Sequence, residues 1–166
     1  MIGYGIVVYI NYLITYCISS CDRITRKCKL KVHSLSSHLY TKYNDRGYNA
    51  VKNFNGCLDL ATKDVLFFPV NYNSHWSMFV VKDPKWLAIA YKESGTDKKN
   101  QKQRPSFLFF DSCKDKNYHC FRTVGTKIIA FLLKNMSNTE YISKQRFQDE
   151  KIKGILQQYG YVPPGM

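Results

Sequence analysis

At 166 residues the chain can form one domain with a real core, and its 45% apolar content fits a globular protein. Lys+Arg 25 against Asp+Glu 12 gives a formal charge of +13, which favours acidic partners (nucleic acid, an anionic membrane or an acidic protein surface) without choosing among them. Six cysteines (Cys17, Cys21, Cys28, Cys57, Cys113 and Cys120) form no CxxC pair, which argues against a zinc centre or a disulfide framework and for reduced intracellular thiols.

Residues 2–18 are mostly apolar. No basic segment precedes them, no small-residue cleavage site follows Ser20, and Asn11, Thr15 and several tyrosines interrupt the run. It reads as a buried helix, from about Ile6 to Ile18, rather than a membrane span. A basic loop follows, from Cys21 to Lys31. Leu35, Leu39 and Tyr43, spaced at i, i+4 and i+8, mark one face of a helix, and Gly47 is placed to stop it. Tyr48 to Phe54 predicts a short second helix, closed by Asn55-Gly56.

The central stretch runs from Val65 to Val81. Residues 65–68 are continuously apolar, which suits a strand buried on both faces. Asn71, Asn73 and Ser74 supply turn chemistry, and a second strand starts at His75-Trp76. A histidine where a turn becomes a strand is both held and accessible, a suitable setting for a general base. His–Trp in a strand is also ordinary packing.

Trp86 to Tyr91 predicts another strand. Residues 92–105 are basic and poor in apolar side chains, and read as a mobile insertion. Ser106 to Phe110 is a further buried strand that ends in Asp111. A carboxylate there needs a partner, unless it caps the next helix. Phe121, Val124, Ile128, Phe131 and Leu132 trace a helical face, and a weaker helical segment spans about Tyr141 to Tyr159. The mixture indicates an α+β fold in a single domain over residues 1–166.

His75 and Asp111, one beside each buried strand, are two thirds of a nucleophilic triad: a base and the carboxylate that orients it. The order VHSLSSHLYTKY, GYNAVKNF, DVLFFPVNYNSHWSMFVV, FLFFDS resembles the sentrin/SUMO-specific (ubiquitin-like-protein) cysteine proteases. That family shows VH-x-F-S-S/T-x-x-Y, GY-x-AVK-x-W, a hydrophobic strand leading to HW, and a Y/F-x-DS strand. The resemblance runs from about Ile10 to the C-terminus. It implies a papain-like cysteine protease fold that cleaves after a di-glycine, with SUMO or another ubiquitin-like protein as partner and no cofactor. His75 matches the catalytic histidine and Asp111 its orienting carboxylate. Trp76 matches the tryptophan that clamps the substrate's di-glycine. Phe54 stands where many members have Trp. The insertion at 82–105 lengthens the His–Asp separation. Family analogy places the protein in the nucleus or cytoplasm; no metal is expected from the cysteine spacings, no specific nucleic acid is expected, and a membrane role is disfavoured.

The family's nucleophile lies in a Q-x-x-N-x-x-DCG motif, which these 166 residues do not contain. A W-L-x-D segment is likewise missing at the front. The expectation is therefore a domain incomplete at both ends and inactive alone. Cys113 and Cys120 lie too near the orienting Asp111 to replace the nucleophile. Gln157 and Gln158 read as surface residues rather than oxyanion donors. Two rivals stay open: a non-catalytic binder of a ubiquitin-like protein, and a basic protein that uses residues 2–18 on a membrane or its Lys-rich loop on nucleic acid.

Overall fold

The computed structural model describes residues 30–54, 59–93, 103–111, 120–136 and 149–161. Their strands form one five-stranded sheet in the order β1-β2-β3-β4-β5. The strands are β1 (Val32–Ser34), β2 (Val65–Tyr72), β3 (His75–Lys82), β4 (Ser106–Asp111) and β5 (Gly160–Tyr161). β3 is antiparallel to both β2 and β4, and β1 and β5 add in parallel at the two edges. Helices α1 (His38–Arg46), α2 (Leu87–Glu93), α3 (Phe121–Met136) and α4 (Asp149–Tyr159) complete the described α+β fold. The expected helix at residues 6–18 lies outside the described residues, as do residues 94–102 of the basic insertion.

Register sorts the β2–β4 side chains into rows on one face. Leu66, Val81 and Phe107 form the first row, Phe68, Phe79 and Phe109 the second, Val70, Ser77 and Asp111 the third, and Tyr72 and His75 the last. The first two rows are fully buried. Their rings meet the helices: Phe121 of α3 stacks on Phe79 at 5.8 Å, and Phe131 meets Phe68 edge-on at 6.4 Å. Each such ring buries roughly 150–250 Å² and dominates the core's stability. The rows turn polar toward the β2–β3 tip.

The strands are not buried evenly on both faces, contrary to expectation. In β2, Leu66 and Phe68 are buried while Val65 and Phe67 are half-buried, and β4 alternates in the same way. Among the described residues, the aromatic contacts that α1 and α3 make with the sheet fall on the Phe68–Phe79 face, so alternate residues divide between two environments. Pro69 is tolerated inside β2 because β1 pairs only as far as Phe67, leaving no ladder for its missing N–H to break.

Two other elements depart from the sequence expectation. Trp86 to Tyr91 is not a strand: a 3₁₀ turn at Pro84–Trp86 leads into α2. Asp83 in the left-handed region (φ 53°) ends β3, Pro84 pre-sets the first turn, and Leu87 and Tyr91, one helical step apart, are buried together. Ala88 and Ala90 then favour helix over strand. Tyr48 to Phe54 makes only a 3₁₀ turn at Tyr48–Ala50 followed by hydrogen-bonded turns, with Val51 fully buried as its anchor. Seven residues with two asparagines are too short to sustain an α-helix. α1 ends as expected: Gly47 takes φ 73° and donates its N–H to the Tyr43 carbonyl at 2.9 Å.

Candidate active site

The β2–β3 hairpin turns at Asn73-Ser74, both with positive φ (52° and 61°), the signature of a two-residue type I′ turn. Such a turn fixes register without slack, so Tyr72 faces His75. His75 is the first residue of β3, and Asp111 is the last of β4. Directly across β3 from Asp111 stands Ser77, two residues on from His75 and on the same face. Asp111 therefore lies diagonal to His75, within side-chain reach.

The contact is made. His75 Nε2 lies 2.5 Å from Asp111 Oδ1, with the side chains only 11% and 14% exposed. An ionised carboxylate accepts only, so Nε2–H donates and Nδ1 becomes the nitrogen that can exchange a proton. Partial burial strengthens such a charge-assisted bond. Asp111 caps no described helix, since α3 starts ten residues later at Phe121.

The structure thus brings together His75 and Asp111 from strands 36 residues apart in sequence. Trp76 is half-buried and pairs in register with Asn71, so strand alternation projects it from the opposite face to His75. Phe54 is half-buried, packs on the core, and lies under the Lys42 ammonium at 4.9 Å. Cys120 is exposed just before α3, where its carbonyl accepts the Val124 N–H. Its thiol is held below the usual range by the Thr123 backbone N–H, with the Arg122 N–H, the Thr123 hydroxyl and the Arg122 charge acting in the same direction against partial burial. Cys17, Cys21, Cys28, Cys57 and Cys113 lie outside the described residues. Gln157 and Gln158 are exposed on α4. Among the described residues no group of His, Cys, Asp and Glu is placed to hold a metal ion, and no helix is long and apolar enough to cross a membrane.

Tyr72 and Ser77 belong to the frame of this site and were not singled out from sequence. The signal was present: counting outward from the Asn73-Ser74 turn places Tyr72 opposite His75.

A histidine and a carboxylate paired at the end of a buried sheet in an α+β domain are two of the three groups that a nucleophilic hydrolase site uses. The chain belongs to the Ulp1 protease family, with residues 7–161 matching its C-terminal catalytic domain. Human (Homo sapiens) Sentrin-specific protease 3 is 34% identical over 64 residues, 39% of this chain and 11% of that protein. A probable ubiquitin-like-specific protease 2B of Arabidopsis thaliana is 29% identical over 118 residues, 64% of this chain and 12% of that protein. The matches therefore span only 11% to 12% of these curated relatives. The crystal structure of a de-sumoylating protease superposes with a TM-score of 0.56 at 18% identity, over 91% of this chain and 49% of that one, a likeness of fold.

Proposed function

We propose that this chain supplies the acid–base half of a thiol isopeptidase site that cuts after the di-glycine of SUMO or a related ubiquitin-like modifier. The observation that carries the reading is the His75–Asp111 contact at the sheet's end, within a chain of this family. Asp111 fixes the imidazole and stabilises its charged form. His75 takes a proton at Nδ1 from a thiol, whose sulfur attacks the carbonyl carbon of the second glycine; the imidazolium protonates the amine as the C–N bond breaks, and water then hydrolyses the thioester with His75 as base. Trp76, on the other face of β3 but next to His75 at the same end of the strand, is proposed to flank the path of the di-glycine, which glycines can thread because they carry no side chain.

The 166 residues alone are proposed to lack turnover, because the family's nucleophile motif is not among them. Loss of a triad nucleophile lowers kcat by about 10⁶-fold in a serine-protease precedent. A di-glycine-ended ubiquitin-like vinyl-sulfone probe tests this. The expected result is saturable binding of the modifier, weakened by Trp76→Ala, with no covalent adduct. An adduct at Cys113 or Cys120 would overturn the inactivity. Sequencing the transcript past Met166 separates the protease from a pure binding module: a Q-x-x-N-x-x-DCG-like run supports the first. Its absence, together with failure to bind any modifier, would sink both.

A further inference from the structure

We propose that Tyr72 is a positioning residue for the His75 imidazole, held in turn by helix α1. The proposal rests on the acid–base reading of His75 and Asp111 and concerns how that pair stays aligned.

Among the described residues β4 pairs with β3 from Ser77 onward, and the described strand neighbour of His75 is Tyr72 on the β2 side. Directly opposed residues in an antiparallel pair share a face, with Cβ atoms about 5 Å apart. Register therefore places His75 between Tyr72 on β2 and Asp111 on β4, all on one face of the sheet. The hydrogen bond at Nε2 holds one edge of the ring, and the ring's tilt depends on what packs beside it. A flat, rigid neighbour on the other side limits that tilt. The 11% exposure of the His75 side chain, next to two exposed turn residues, fits a ring covered in this way.

Tyr72 is itself braced. The ring of Tyr40 meets it edge-on, with centroids 6.1 Å apart and planes at 77°. Tyr40 is only 4% exposed and belongs to the core. The next residue of α1, Thr41, donates its hydroxyl to the Asn71 carbonyl at 2.5 Å. Two consecutive residues of α1 thus grip two consecutive residues of β2, beside the turn that presents His75. An edge-to-face pair is attractive beyond simple burial and favours one orientation of Tyr72.

The test is NMR of the histidine side-chain N–H signals in the 166-residue chain. The His75 Nε2 proton is expected to be visible, slowed in exchange with water, and lost in Asp111→Asn. Tyr72→Val, a good strand former, should speed its exchange by about tenfold while the β2–β3 backbone amides stay protected, and Tyr72→Phe should leave it within about twofold. Thr41→Val removes the brace without touching either ring and should give a smaller acceleration of the same sign. Unchanged exchange in both Tyr72→Val and Thr41→Val would overturn the proposal. A wild-type His75 with no protected Nε2 proton would remove the pairing on which it stands, an outcome that probe labelling does not mimic.

Discussion

Asp111 reaches His75 along a diagonal of the sheet: Oδ1 lies 2.5 Å from Nε2, although the residue directly across β3 from Asp111 is Ser77. With both side chains largely buried, a hydrogen bond to a charged group contributes about 1.5–3 kcal/mol. Asp111→Asn keeps the shape and an acceptor oxygen for Nε2–H. Asp111→Ala leaves the imidazole without that acceptor. Urea unfolding should therefore show a loss of about 1–3 kcal/mol for Asp111→Ala and about 1 kcal/mol or less for Asp111→Asn. Equal losses would mean that the contact adds nothing as a hydrogen bond.

The turn that presents His75 carries strain that can be relieved. Ser74 has φ 61°, a conformation disfavoured for residues with a Cβ. Asn-Gly is the preferred pair in a type I′ turn. Ser74→Gly should raise stability by about 0.5–1 kcal/mol, read as a higher denaturant midpoint, the greater chain entropy of glycine offsetting part of the gain. The His75 signals should be unchanged. A lower midpoint would show that Ser74 holds the turn through its hydroxyl.

The central hairpin was legible because turn chemistry and apolar runs agree there: Asn73-Ser74 makes the turn and β3 starts at His75 as expected, although β2 runs on through Asn71 to Tyr72 and β3 takes in Lys82. Leu39 and Tyr43 marked the face of α1, and Gly47 its end, for the same local reasons. The strand expected at Trp86 to Tyr91 failed because a short apolar run carries no period, and Pro84 with two alanines tipped it to helix. The His75–Asp111 pair was legible only through the order of motifs. A contact across 36 residues is set by strand register, which no local pattern encodes. The brace from Tyr40 to Tyr72 was hidden for that reason too.

Stability should fall at both ends of the pH range. Burial, with Tyr72 nearby, pushes the Tyr40 phenol up to about 12. The unfolded chain then releases this proton first, so the contribution is complete below pH 10 and is lost as pH rises from there through about 12. A shift of this size corresponds to at most about 2–3 kcal/mol. Tyr43 and Tyr48 are raised chiefly by burial and add to the same limb. At the acid end, burial and then the Lys63 charge lower the pKa of His33. The unfolded chain takes up that proton first, so stability declines as pH falls below 6.5. Urea unfolding from pH 5 to pH 11.5 should show both limbs. Tyr40→Phe should flatten the alkaline one and His33→Gln the acid one, and an unchanged slope in either variant would contradict its assignment.

Two glycines at the α3–α4 contact should respond unequally to alanine. A Cβ on Gly125 would meet Leu156 Cδ2 at 2.7 Å and Phe79 Cε2 at 3.0 Å. The leucine tip can move, and alanine in a helix gains about 1 kcal/mol over glycine, which offsets much of the crowding. A Cβ on Gly160 would fall on the Leu156 carbonyl oxygen and on the Phe121 ring. The first is backbone of α4. The second is stacked on Phe79 and packed against Phe109 at 6.0 Å, so neither yields easily. Overpacking of this kind costs about 1–3 kcal/mol, with no helix propensity to set against it. Gly160→Ala should thus be the more destabilising by about 1 kcal/mol or more in urea unfolding. Because Phe121 packs on the Phe79–Phe109 row, next to the row of Asp111, Gly160→Ala should also disturb the Asp111 signals, whereas Gly125→Ala should not. The reverse order of stabilities would mean that β5 does not hold Gly160 against α4.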